Sequence, residues 1–173
     1  MSRETFTVES IAHYLRVDPG KFLDDDMVQR AFRLASKAHA GQADKLGEPY
    51  IYHPFSVAAQ LDTPNEIMAA LLHDVVEDTD TTFKDLNDFP PEVVAALRLL
   101  TRADGVPYED YLQGIRSNPL ALRVKLADLA HNSDPGRLAR LEQQGEEGRK
   151  TAARLKEKYT HAYQILKAGQ DNE

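Results

Sequence analysis

From Thr7 to Lys167 the apolar residues of this chain return every three or four positions, the period of an α-helix rather than of a strand. No hairpin turn lies between alternating apolar runs, so antiparallel ribbons have no place to form. This pattern confines the chain to an all-α fold, a single helical bundle. With 173 residues, 42% of them apolar, one domain of this kind can bury a sizeable core.

Caps and breakers divide the pattern into elements. Thr7 caps a helix to about Val17, which Asp18-Pro19-Gly20 ends. Asp24-Asp25-Asp26 opens a second, with Val28, Ala31, Phe32, Ala35 and Ala38 as its apolar face and Gly41 as its stop. Residues 41–49 form a loop, and Tyr50-Ile51-Tyr52-His53-Pro54 leads into a helix to about Leu61, Pro54 lying in its first turn. Further helices are expected over Pro64 to Glu77, Thr82 to Asn87, Pro91 to Arg102, Tyr108 to Ser117, Leu120 to Asn132, Gly136 to Leu141 and Glu146 to Lys167. The domain reading is one unit over residues 1–168, its core about 24–141 and its closing helix about 146–167. A softer stretch is expected from Asp134 to Gly148, and a frayed tail over 169–173.

Within Pro64 to Glu77, a continuous helix puts His73, Asp74, Glu77 and Asp78 on one arc of roughly 140°. Ile67, Met68, Leu71, Leu72, Val75 and Val76 take the opposite side. Half of this helix is then core, and the other half is a group of metal-type ligands on a polar face. His53 stands at a loop-to-helix junction, and Asp128 sits in the apolar run Leu120 to Asn132. A carboxylate buried there is costly without a cation or hydrogen bonds. Lys125, His131 and Asn132 share its face. Two imidazoles and two carboxylates suit Mn²⁺, Fe²⁺ or Zn²⁺ better than Ca²⁺, with Mg²⁺ a further option. Spacing alone leaves open whether the three segments converge.

Charge narrows the partners. A formal net charge of −7 argues against DNA or RNA, whose backbones need clustered Lys and Arg. It is compatible with a small phosphorylated substrate if a divalent cation reverses the local field. There is no Cys, hence no disulfide or thiolate site; no apolar run approaches 18 residues, and no signal peptide opens the sequence. A cytoplasmic location without membrane contact is the expectation. No feature fixes an oligomeric state.

Four stretches carry a family resemblance: Ala38-His39-Ala40-Gly41-Gln42, Gly47 to Pro54, Leu72-His73-Asp74-Val75-Val76-Glu77-Asp78-Thr79, and Val124-Lys125-Leu126-Ala127-Asp128. Their order resembles that of the HD-domain metal phosphohydrolases, and more fully the hydrolase domain of RelA/SpoT-homologue alarmone enzymes and their small stand-alone forms. The resemblance implies an all-α hydrolase holding Mn²⁺ through His53, His73, Asp74 and Asp128. It implies removal of pyrophosphate from the 3′ position of a nucleotide alarmone, with Glu77 and Asp78 positioning or activating water and Asn132 lining the nucleotide pocket. Lys45, Lys125 and Tyr50 are further candidates for substrate contact. Two departures stand out. Asp44-Lys45 replaces the family's Arg-Lys, whose Arg packs on the purine. Leu129-Ala130 and Ser133-Asp134-Pro135 replace the usual residues around Asn132. Guanine and adenine therefore both remain open as the base.

Other features have ordinary readings. His13 and His161 belong to surfaces, the Asp24 to Asp26 run to a solvated helix start, and the Lys and Arg residues between Arg149 and Lys158 to a solvated face. His39 fits helix-end carbonyls, Tyr52 fits core packing, and His131 fits either packing or support of the ligands. Rival functions are a broader HD-type nucleotide phosphohydrolase or 5′-nucleotidase and, from another class, a non-catalytic nucleotide sensor.

Overall fold

A computed structural model of the chain describes residues 5–168. The helices are α1 (Val8–Leu15), α2 (Gly20–Leu23), α3 (Asp26–Ala38), α4 (Tyr52–Ala59), α5 (Pro64–Leu72), α6 (Val75–Asp78), α7 (Pro91–Leu100), α8 (Tyr108–Arg116), α9 (Pro119–Asn132), α10 (Pro135–Glu142) and α11 (Glu146–Lys167). A 3₁₀ turn covers Phe83–Leu86. Among the described residues the only β-type pairing is an isolated bridge between Ala43 and Pro49. The chain is all-α. The expected fraying of 169–173 lies outside the described residues.

Caps set most boundaries. The Thr7 hydroxyl accepts from Ser10 and the Thr63 hydroxyl from Glu66, each in a reciprocal box. Asp25 accepts from Met27 and Val28, which explains the acidic run ahead of α3. Gly41, with φ +81°, turns the chain out of α3 in a conformation that other residues resist. The supposed soft stretch is largely ordered, because Asp134 caps α10 through the Arg137 amide. The short α2 carries no expectation from the sequence. Lys21 on it donates to the Ala59 and Leu61 carbonyls at the end of α4.

The clearest difference lies in the Pro64 to Glu77 segment. Its helix stops at Leu72, His73 and Asp74 form a turn, and α6 restarts at Val75. The His73 backbone N–H reaches back to the Ala70 carbonyl, and the His73 ring Nδ1 contacts the same oxygen at 2.5 Å. Side chain and backbone thus compete for one acceptor and interrupt the i→i−4 ladder. Nor does α5 have a wet face. Glu66 through Leu72 are all buried, enclosed by α3, α4, α7 and α9. A helix hemmed in on every side needs no polar stripe.

The main core gathers Phe22, Phe32, Phe55, Leu71 and Leu97 around α5, with Phe22 and Phe55 stacked at 4.0 Å. Val8 and Ile11 of α1 and Ala162 and Leu166 of α11 join it, so packing runs beyond residues 24–141. A smaller cluster of Leu138, Leu141, Ala152 and Leu155 lies between α10 and α11, with Leu46 and Tyr159 against it. Gly148 permits this pairing, since a Cβ there would stand 2.0 Å from the Leu141 carbonyl oxygen.

Candidate metal centre and active site

His53 enters from the first turn of α4, His73 and Asp74 from the break after α5, and Asp128 from the middle of α9. His53 Nε2 is 3.0 Å from Asp128 Oδ1 and 3.6 Å from Asp74 Oδ2. His73 Nε2 is 3.1 Å from Asp74 Oδ2 and 3.5 Å from Asp128 Oδ1. His53, His73 and Asp128 are buried, and their ligand atoms lie within 4.8 Å of one another. The break in the helix therefore does not scatter the group; it aims His73 and Asp74 at a common point.

The second atoms of these side chains are tied down. The His73 Nδ1 contact with the Ala70 carbonyl assigns that nitrogen the ring hydrogen, leaving a lone pair on Nε2. That buried Nε2 has no hydrogen-bond partner. His53 Nδ1 meets His131 Nδ1 at 2.7 Å. Tyr50 donates to Asp74 Oδ2 at 2.7 Å, Lys125 to Asp128 Oδ2 at 2.8 Å, and Asn132 to Asp128 Oδ1 at 2.9 Å. His131, ambiguous in the sequence, thus backs a candidate ligand. Burial, His53 and Arg137 push its pKa down to about 3, so it stays a neutral partner.

The donor set fits a divalent cation. Burial alone would raise the Asp128 carboxyl, but Lys125 and the two histidines hold it well below the usual range. Asp74 is likewise lowered against its burial by His73 and His53. Burial opposes charge on His73, yet the Asp74 and Asp128 carboxylates outweigh it and raise its pKa. Two anionic carboxylates and an orphaned imidazole nitrogen draw positive charge to this point, and a cation would replace the proton.

The acidic pair lies beside this centre. Glu77 lines the cleft above the ligands and accepts the backbone N–H of Arg102. Burial raises its pKa, the Arg102 amide and Lys125 oppose the rise, and Asp74 and Asp78 add to it. Asp78 is raised by burial and by Asp74, against His39, His73 and His53. Its carbonyl accepts from Gln42, whose side-chain oxygen meets His39 Nδ1 at 2.9 Å. His39 is therefore a buried brace for this corner, its ring Nδ1 on the Gln42 side chain rather than on a helix-end carbonyl.

The cleft encloses about 370 Å³, within the ordinary range for a small-molecule site. Lys45, Tyr50, Lys125 and Asn132 line it, as do Arg102, Arg137, Lys158 and the Tyr108, Tyr111 and Tyr159 rings. The Lys and Arg residues between Arg149 and Lys158 are exposed, as expected of a solvated face. Lys158 in addition borders the cleft, its ammonium 4.9 Å from the Tyr108 ring centre and its pKa lowered by desolvation and by Lys125, Lys45 and Arg102. These cations come from two loops and from α9, α10 and α11. In the sequence only Lys45 and Lys125 stand out as candidates for substrate contact; the convergence of all five marks an anion site in a protein of net charge −7. The Leu155–Tyr159 spacing on α11 was the one available signal, and it reads equally as core. His13 and His161 are exposed, His161 pairing with Glu109. Tyr52 packs against Phe6 and Tyr14.

Comparison with known proteins places this geometry in context. A guanosine-3′,5′-bis(diphosphate) 3′-pyrophosphohydrolase of Aquifex aeolicus is 37% identical over 118 residues, 61% of this chain and 17% of its own length. A GTP pyrophosphokinase of Streptomyces coelicolor is 35% identical over 138 residues, 72% of this chain and 16% of its own. The chain thus spans about a sixth of these curated relatives. A solved structure described as a metazoan ortholog of SpoT that hydrolyzes ppGpp superposes with a TM-score of 0.61 at 25% identity, covering 80% of this chain and 85% of that one. The sequence model of the HD domain matches residues 31–124, a span that holds His53, His73 and Asp74. On that match the chain belongs to the HD-domain family.

Proposed function

We propose that this protein hydrolyses the 3′-pyrophosphate of a nucleotide alarmone, releasing pyrophosphate and a nucleoside 5′-phosphate. Guanosine 3′,5′-bis(diphosphate), the compound named for the relatives, is the first substrate to try. The observation that carries the reading is the meeting of His53, His73 and Asp128, with Asp74 Oδ2 3.1 Å from the orphaned His73 Nε2, beside a cation-lined cleft. Those four residues would hold one divalent ion; a mixed imidazole and carboxylate set suits Mn²⁺, Fe²⁺ or Zn²⁺, and the family resemblance points to Mn²⁺ among them. Such an ion supplies a Lewis acid for a phosphoryl oxygen and lowers the pKa of water.

The chain's own groups account for the rest. Ligation through His53 Nε2 requires its hydrogen on Nδ1, so His53 donates to His131 and is held in the ligating tautomer. Tyr50 fixes Asp74, while Lys125 and Asn132 fix Asp128. Glu77 takes the proton of the attacking water. A carboxylate raised above its ordinary pKa is a better base for that transfer. Asp78, braced through Gln42, adds negative charge beside Glu77 and supports its basicity. Lys45, Arg102 and Lys158 receive phosphate oxygens and offset the charge that develops as the P–O bond breaks.

The test is product identification with purified protein and Mn²⁺. The panel holds guanosine and adenosine 5′-phosphates with and without a 3′-pyrophosphate. Release of pyrophosphate from the 3′-substituted compounds is expected. Release of inorganic phosphate from the 5′-monophosphates would instead make the protein a 5′-nucleotidase. Tight binding without product would make it a sensor.

A further inference from the structure

The cleft has two chemically different ends. His53, Asp74, Glu77 and Asp128 form the polar end, and Leu46, Leu141 and Leu155, the edge of the smaller hydrophobic cluster, form the other. A nucleotide is divided in the same way, with phosphates at one end and a flat base at the other. Arg137 borders the apolar end, one residue before Leu138 of that cluster.

Its guanidinium is held in place. Arg137 Nη2 donates to Asp44 Oδ2 at 3.3 Å, with only 20% of the Arg137 side chain and 8% of the Asp44 side chain exposed. Asp44 is itself fixed, because its other oxygen accepts from the Leu46 and Glu48 amides at 2.8 and 2.9 Å. Asp44 uses one of the five N–H groups of the guanidinium, and the others have no side-chain or carbonyl partner among the described residues. A pinned guanidinium with free donors beside an apolar wall is suited to reading the edge of a ring that packs on that wall.

We propose that Arg137, oriented by Asp44, is the base-recognising residue of this cleft and selects guanine over adenine. Guanine presents O6 and N7 as adjacent acceptors, which a guanidinium fork can engage together. Adenine presents the N6 donor beside N7, and would set donor against donor. The inference rests on the proposed nucleotide hydrolysis and adds to it the residue that sets the base.

The experiment compares Arg137→Ala, Arg137→Lys and Arg140→Ala with the parent protein, on guanosine and adenosine 3′-pyrophosphates. Arg140 ties the same loop to the same helix through Glu48 at 2.9 Å but lies outside the cleft, so it reports on loop anchoring alone. Arg137→Ala is expected to raise KM for the guanosine compound about tenfold, with a smaller change in kcat and for the adenosine compound. Arg137→Lys should fail to restore it, because a point charge lacks the planar fork. Arg140→Ala should match the parent. Equal losses on both bases, an unchanged KM, or the same loss in Arg140→Ala would overturn the assignment. If the parent turns over neither compound, the hydrolytic reading fails by itself. Calorimetry with guanosine and adenosine 5′-monophosphates then reads Arg137 separately, and a guanosine preference lost in Arg137→Ala still supports it.

Discussion

Asp128 and Glu77 both bring a carboxylate to the same cleft, yet their surroundings assign them opposite duties. Asp128 is buried, held anionic by Lys125, and crowded by two imidazoles. Asp128→Ala is expected to lose the ion and turnover together, as metal analysis beside single-turnover kinetics would record. Retention of both would refute its assignment as a ligand. Glu77 is exposed at the cleft, and its pKa is raised by desolvation, Asp74 and Asp78 against the Arg102 amide and Lys125. Glu77→Gln should keep the ion and lower kcat by about 10²–10⁴-fold. A base works only when deprotonated, so the rate of the parent protein should rise with pH through the Glu77 titration. Because that pKa is raised, the acidic limb should lie above the ordinary carboxylate range, and Glu77→Gln should flatten it. His131 touches no cleft chemistry directly; His131→Ala should weaken metal affinity by about 10–100-fold, the scale of an outer partner.

At the scale of elements, the break between α5 and α6 and the crossing of α10 over α11 shape the two ends of the cleft. In an unbroken helix, Asp74 would keep the direction imposed by the 3.6-residue turn. The break frees it to face both histidines. At the other end, Gly148 lets α11 approach the Leu141 carbonyl. Gly148→Ala should destabilise the protein by about 1–3 kcal/mol, since a backbone oxygen cannot swing aside as a side chain can. Denaturant unfolding would measure this. The same change should raise KM more than it lowers kcat, because Arg137, Leu141 and Leu155 shift while the ligands on α4, on the break after α5 and on α9 do not. A variant as stable as the parent would mean that the two helices separate freely.

For the whole molecule, the centre joins three segments far apart in sequence, so an ion bound there should stabilise the fold as a unit. Mn²⁺ at about 100 times its Kd should add about 2.7 kcal/mol. Thermal melts with and without chelator should then differ by several degrees, and Asp128→Ala should erase the difference. No helix among the described residues is long and apolar enough to cross a membrane. The long α11 packs on α8, α9 and α10 and walls the cleft. The sequence by itself determined most of the helices, α2 and the break after α5 excepted, because caps such as Thr7, Asp25 and Thr63 and the three-and-four spacing are local signals. It also singled out His53, His73, Asp74 and Asp128, since paired imidazoles and acids amid apolar residues are costly to keep without a use. Only the tertiary structure decided that α5 is enclosed on every side, that Lys158 and Arg102 turn into the cleft, and that Asp44 is held by Arg137. Burial and ion pairing are properties of what lies across the gap, and a pattern along one segment carries no record of its neighbour.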